Sequence, residues 1–376
     1  GASLRSASGA IARTVALQHD GLTLTWTDAR GHDSTLVANG LGALASATDA
    51  AGGTTSYEYD ALARPLRTRD ASGKEVSTAS YSPWGMLLTE TDADLGSWVY
   101  TSNALGELKS VRDPRGYNVN LVYDALGRLT SRISPDGTRT WTWGADAGAR
   151  NIGNLAAMSA PGYSESFAYD SFGRAATHTI NADSGYRYDY SYNSLGLLET
   201  LAYPGTLSGP RLRIRYEYDA GTMVRISDAD APGTTFWRQN AQDAAGNVID
   251  ESLGASIRTI TGYDPLTDEP EYRQTGAGGG SAIQNLPWDW DAGSNLIRRQ
   301  DLNRGVTEEF NYDALDRLDE SRRNGTVNLD LAYDAIGNIT WKSDVCPTAA
   351  PCFAYDPSRI HAVTSAGGVN YSYDAA

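Results

Sequence analysis

Four residue types are scarce in this 376-residue chain: 2 Cys, 3 Met, 4 His and 5 Phe. Two cysteines cannot staple a disulfide-dense scaffold, and with no histidine near them in sequence they do not supply the four ligands of a structural zinc. Cys346 and Cys352 bracket the stretch CPTAAPC. They read either as two small unpaired apolar side chains or as a disulfide across a turn, which implies an oxidising compartment. His19, His32, His178 and His361 are scattered, each without a recurring partner, so no general base stands out.

Basic tracts are missing as well. Acids outnumber bases by 46 to 31, and the formal charge of −15 argues against a nucleic-acid partner. No apolar run approaches the ~20 residues of a membrane-spanning helix. No G-x-S-x-G, H-E-x-x-H or P-loop occurs. Adjacent acids such as Glu308-Glu309 and Asp319-Glu320 point to opposite faces of a strand and cannot act together. The turn Asp228–Gly233 lacks the ligand run of an EF-hand and reads as a solvated turn. No enzyme activity, cofactor or metal is expected.

What the chain does have is tyrosine (22), tryptophan (9) and glycine (39). Tyr and Trp favour strands, and Gly marks turns, so the composition reads as all-β. One turn recurs down the chain. It stands as YDALARPL at Tyr59-Asp60, YDALGRL at Tyr123-Asp124 with Gly127, and YDSFGRA at Tyr169-Asp170 with Gly173. It returns as YNSLGLL at Tyr192, YDALDRL at Tyr312-Asp313, and YDAIGNI at Tyr333-Asp334 with Gly337. Weaker copies begin at Ala38, Tyr81, Ser102, Tyr218, Gln242, Tyr263, Trp290 and Tyr355. Most spacings are about 21 to 23 residues, the signature of a repeat architecture. A second turn lies midway in each copy, as in Asp70-Ala-Ser-Gly73, Asp113-Pro-Arg-Gly116 and Pro135-Asp-Gly137. Two turns and two strands make each copy a β-hairpin.

The strands alternate with a period of two. Tyr186, Tyr188, Tyr190 and Tyr192 share one parity, as do Val119, Leu121 and Tyr123. One face is therefore apolar and aromatic and the other polar. Tyr is the last residue of its strand on the aromatic side, and Asp leaves the strand to bond the turn amides. Gly127 and Gly173 are expected in the left-handed conformation. An exposed pair between Asp and Arg128, Arg174 or Arg317 carries ~0–1 kcal/mol and is given no weight. Trp141, Trp143, Trp288 and Trp290 either pack against neighbouring hairpins or offer stacking surfaces for sugar rings or apolar protein. Longer copies differ at the second turn, in Pro204–Pro210, Gly276–Ser281 and the CPTAAPC loop.

About sixteen hairpins give roughly 32 strands, on the order of 150 Å of sheet if pairing is continuous. Open sheets rarely exceed ~10 strands without curling or splitting. A coiled antiparallel sheet, a spiral or barrel-like shell, fits a two-strand unit; a propeller needs an alternation over four strands that the copies do not show. Residues 1–376 are expected to form a single array with no separate catalytic domain. The start at Gly1-Ala2-Ser3, and the end at Tyr373-Asp374-Ala375-Ala376 inside a repeat, suggest a fragment of something longer.

The stretch YDALGRLTSRISPDG resembles the YD-repeat, or Rhs-repeat, family almost position for position, and the likeness extends over nearly the whole chain. The resemblance implies a spiral β-sheet wrapped into a hollow shell, as in bacterial Rhs polymorphic toxins and Tc toxin shell components, with teneurins using a similar barrel in adhesion. It implies a secreted or surface location and a toxin domain as cargo. Shells of that family end in a segment with an "RYYDP…GRF…DP" pattern and an aspartate pair that cuts off the toxin; that segment has no counterpart here, so self-cleavage does not carry over. The other functional reading is an extracellular module that binds glycan or protein through exposed aromatics. Unpaired sheet edges make self-association an expectation in either case.

Overall fold

The computed structural model describes residues 2–5, 11–205, 210–346, 348 and 350–374. Parts of the expected loops at 204–210 and 346–352, the first residue and the last two lie outside them. The described residues hold 34 strands and no helix. Thirty-one of the strands, from Ala2–Arg5 to Ile339–Lys342, form one sheet, each pairing antiparallel with its neighbours in sequence. A second sheet of three strands, Phe353–Tyr355, Val363–Ala366 and Val369–Asn370, follows the cysteine loop. Neither helices nor four-stranded blades interrupt the run.

The hairpin at Tyr123 shows why the repeat turns where it does. The Asp124 amide donates to the Arg128 carbonyl at 2.9 Å, and the Gly127 amide donates to the Asp124 carbonyl at 3.0 Å. Tyr123 then pairs with Leu129 after a register shift. This is a type I turn closed by a bulge whose residue must take positive φ. Gly127 and Gly173 both sit at φ 74°, whereas Ala63 and Asp316 fill the same slot at 59°. A Cβ in that region costs ~1–2 kcal/mol, part of which the entropy of an unfolded glycine offsets. Ala63→Gly is therefore expected to raise stability by about 0.5–1 kcal/mol, and Gly127→Ala to lower it by at least as much. An alanine Cβ at Gly127 would also stand 2.9 Å from Glu107 Oε1. Opposite shifts in urea midpoint for the two variants are the check; shifts of one sign would refute the bulge assignment.

Almost nothing is fully buried. Among the described residues the buried apolar side chains are Ala202, Leu331, Cys346, Ile360 and Ala366. The accessible surface is 21744 Å², against about 14,500 Å² for a compact globule of this mass. An excess of half is what a wall one sheet thick produces, because no second layer covers either face. Alternation survives in muted form: Asn118–Tyr123 reads exposed, half-buried in strict turn, with Val119, Leu121 and Tyr123 on the less exposed side.

The ribbon meets itself. Arg13 donates to the Glu269 carboxylate at 2.6 and 2.8 Å, to Ser294 Oγ at 2.7 Å and to the Asp291 carbonyl at 3.1 Å. Arg30 donates to the carbonyls of Tyr312 at 3.1 Å and Asp313 at 2.9 Å and pairs with Asp316. His361 bonds Asp94 through backbone and ring nitrogens. These contacts join residues separated by 256 to 286 positions. The sheet therefore coils into a spiral of about 24 strands per revolution, and the midway turns of the first revolution seat on the Tyr-Asp turns of the second.

Candidate functional site

The recurrent feature of the wall is a clamp built from the Tyr-Asp turn. Asp124 Oδ1 accepts from the amides of Leu126 at 2.9 Å and Arg128 at 3.0 Å, while its Oδ2 holds the Arg128 guanidinium. Asp60, Asp170 and Asp313 repeat the arrangement with Arg64, Arg174 and Arg317. Asp334 does so with the Asn338 amide. The arginine does not stop there. Its guanidinium lies over the aromatic ring of the next repeat: Arg64 over Tyr81 at 4.8 Å, Arg128 over Trp143 at 5.1 Å, Arg174 over Tyr192 at 4.3 Å and Arg317 over Tyr333 at 4.5 Å. That ring in turn reaches back. The hydroxyls of Tyr192, Tyr333 and Tyr355 donate to the carbonyls of Ala175, Leu318 and Ile339 at 2.8 to 2.9 Å. Each acceptor sits six positions beyond the previous repeat's tyrosine.

One expectation changes here and another is narrowed. The Asp–Arg pair, discounted as an exposed ion pair, is one link of a chain Asp–Arg–ring–carbonyl that ties each repeat to the next. For the tryptophans, left between packing on neighbouring hairpins and offering stacking surfaces, two are links of the same chain: Trp143 Nε1 donates to the Leu129 carbonyl and Trp290 Nε1 to the Pro270 carbonyl, both at 2.8 Å. The period of the turn was visible in the sequence; the partner of each hydroxyl was not, because it lies one repeat away and is a backbone atom.

The clamp sets the acid response. The Asp60 carboxyl is held below its usual range chiefly by the Arg64 amide, and that of Asp124 chiefly by the Arg128 side chain. At Asp170 and Asp313 desolvation pushes upward, and hydrogen bonds from Arg174 and Arg317 outweigh it. A carboxylate whose folded pKa is depressed contributes stability that is fully present above the unfolded pKa and is lost as pH falls through the folded one. Thermal midpoints should therefore be insensitive to these groups from pH 8 to 6 and fall below about pH 4. A midpoint that rises on acidification would contradict the clamp.

Among the described residues no catalytic constellation assembles. His178 bonds Glu165 at 3.0 Å and stacks on Phe167 at 4.4 Å, His32 lies beside Asp28, and His361 holds the seam. Glu308 and Glu320 pair with Arg299 and Arg322 across or along their strands. Asp228 accepts from the amides of Asp230 and Ala231 inside its own turn. Among the described residues no group of three His, Cys, Asp or Glu could hold a metal, and no helix is long and apolar enough to cross a membrane. Cys346 and Cys352 form a disulfide with Cα atoms 5.5 Å apart. It closes the loop between the long sheet and the three-stranded one, where the strands Ile339–Lys342 and Phe353–Tyr355 do not pair. Because that loop is short, reduction is expected to cost less than ~3 kcal/mol. The loss should be confined to residues beyond Thr340, readable by hydrogen exchange with and without reductant. Faster exchange throughout the chain would contradict it.

A hairpin-repeat sheet of this kind defines a class before it defines a relative: a single-layer wall coiled on itself. The family model described as RHS Repeat matches residues 39–75 and 103–139. It is 24% identical over 383 residues to the double-stranded DNA deaminase toxin A of Burkholderia cenocepacia (strain H111), covering 93% of this chain and 25% of that protein. In fold it matches the Tc holotoxin pore structure of Photorhabdus luminescens (TM-score 0.76, 15% identity, 96% of this chain and 21% of the other). It matches TcdB2-TccC3 without its hypervariable C-terminal region (TM-score 0.77, 14% identity, 96% and 22%). The chain thus spans about a quarter of the curated relative and about a fifth of the solved chains.

Proposed function

We propose that the chain is a non-enzymatic wall segment, one repeat array from end to end, of a shell that encloses a polypeptide cargo. The supporting observation is the self-meeting ribbon: Arg13 and Arg30 join turns about 24 strands apart. At ~4.8 Å per strand one revolution measures about 115 Å around and at least about 37 Å across. Side chains of roughly 6 Å on each wall leave a bore near 25 Å. A folded 100-residue domain, about 34 Å across for a radius of gyration of ~13 Å, needs a wider bore than this minimum, whereas an unfolded chain threads through it. The less exposed parity, with Val119, Leu121 and Tyr123, fits the concave side, where side chains converge. A tyrosine- and leucine-bearing lumen holds an unfolded cargo by non-directional apolar contact.

The relatives named as toxins support a toxin domain as cargo and a secreted or surface location, and the disulfide suits an oxidising compartment. The alternative, a glycan- or protein-binding module, has less support, because Trp143 and Trp290 spend their indole donors on the wall itself. The test is protease protection. A disordered reporter segment rich in trypsin sites, fused after Ala376, should be cut several-fold more slowly than the same segment free in solution. Equal rates would remove the container reading.

A further inference from the structure

On the face opposite the tyrosines, arginines generally meet carboxylates across the ladder. Arg213 pairs with Asp230, Arg258 with Asp250 and Arg298 with Asp289. Three successive strands, Arg213–Asp219, Thr222–Asp228 and Thr235–Gln242, depart from this pattern. Glu217, Arg225 and Arg238 stand opposite one another on them. Two arginines thus face each other directly, an arrangement that destabilises a sheet. Each nitrogen of Arg225 is engaged: it donates to Thr235 Oγ1 at 3.0 Å, to Glu217 at 3.2 Å and to the Pro232 carbonyl at 2.7 Å. Arg238 is exposed, and among the described residues it has neither a hydrogen-bond nor an ion-pair partner. The adjoining row shows the same deficit. Arg215 and Ser227 are directly paired, Ser227 is wholly buried, and neither Arg215 Nε nor Ser227 Oγ has a partner. Buried polar groups left in this way are rare in folded proteins and call for a bound water or ion.

The unpartnered arginine opens onto a groove of about 570 Å³, within the size range of small-ligand sites. Arg225, Arg238, Glu217, Asp219, Asn240 and Gln242 line it. The ladder is interrupted at this point: Gln239 pairs with Glu251 and Ala241 with Asp250, so Asn240 is an extra residue. Bulges of this kind re-aim side chains beside binding sites. The Asn240 amide nitrogen is held by Asp250 and Ser252, which leaves its carbonyl oxygen to accept. Amides donate and accept, carboxylates accept from hydroxyls, and none of the lining residues is aromatic. That lining suits a ligand rich in hydroxyls and carrying an anion. We propose that the groove binds an acidic saccharide, with a sugar carboxylate forked by Arg238 and the hydroxyls held by Glu217, Asp219 and Asn240. A carboxylate there also offsets the repulsion between the two opposed arginines. All of these residues come from three consecutive strands, on the face turned away from the tyrosines. The inference therefore stands whether or not the bore holds a cargo.

Isothermal titration calorimetry of the intact chain with trigalacturonate tests it. Binding should saturate and should weaken as salt is added. Arg238→Gln should weaken it by about tenfold or more, the loss of one charge-assisted fork. The same variant should keep or raise the thermal midpoint in the absence of sugar, because it removes one of two opposed charges. Arg298→Gln, on the same face but already paired with Asp289, should bind as the wild type does. Maltotriose, which has the hydroxyls without the charge, and acetate, which has the charge without the sugar, should each bind about tenfold more weakly or worse. A chain that does not bind trigalacturonate would overturn the proposal. So would equal affinity for maltotriose or acetate, or binding that Arg238→Gln leaves untouched.

Discussion

Removing Arg13 and Arg30 together is expected to open the spiral. Their guanidinium groups are about four-fifths buried and reach backbone carbonyls as well as carboxylates across the seam. Hydrogen bonds to charged groups in such surroundings contribute ~1.5–3 kcal/mol each and are not additive, so the pair of alanine substitutions should cost the seam about 4–6 kcal/mol. That converts a closed coil into one that opens measurably. The ladder within each revolution does not depend on these residues, so strand content should persist while the molecule expands. Circular dichroism should be unchanged, and limited proteolysis near Asp291 and Asp313 should accelerate by orders of magnitude. If the double variant keeps the wild-type cleavage pattern, the two arginines do not hold the revolutions together.

The second large effect lies within the wall. Tyr192 is gripped on both sides: Arg174 lies over its ring at 4.3 Å and its hydroxyl donates to the Ala175 carbonyl at 2.8 Å. Tyr192→Phe should cost about 1 kcal/mol, the value of one hydrogen bond. Tyr192→Ala should cost about 3 kcal/mol, because it removes the ring, the cation contact and the bond at once. Apart from the seam contacts of Arg13, Arg30 and Asp94, each unit of this array leans on its neighbours along the chain. The alanine variant should therefore unfold in two transitions, the array parting between the repeats on either side of position 192. A Phe variant as damaged as the Ala variant would place the whole effect in the hydroxyl. A Phe variant with no change would remove the hydroxyl from the clamp.

The all-β class, the hairpin unit and the coiling were legible because they are local or follow from counting. Tyr-Asp-x-x-Gly sets a turn, alternation sets a strand, and some thirty strands cannot lie flat. The inter-repeat clamp was not legible, since the sequence shows Arg174 next to Asp170 but not above Tyr192. The seam was hidden for a different reason. Arg30 and Asp313 lie in ordinary copies of two turns, and only the curvature of the sheet decides which copies meet. The same curvature separates Leu126 from Leu315, which differ in local sequence only at the following residue, the one exposed and the other half-buried. Cys346 and Cys352 were left undecided, because spacing permits a bridge without requiring one.

The curvature itself is open to direct measurement by pulsed electron spin resonance between paired labels, with the native disulfide left intact. Leu62→Cys with Leu195→Cys places labels half a revolution apart, and Lys74→Cys with Pro357→Cys places them on the two sides of one seam cleft. A coiled wall puts the first pair roughly 40 Å apart and the second under roughly 20 Å. A straight ribbon would give nearly 60 Å for the first pair and leave the second beyond range, and a collapsed globule would bring the first pair well inside 30 Å; either result would contradict the hollow spiral.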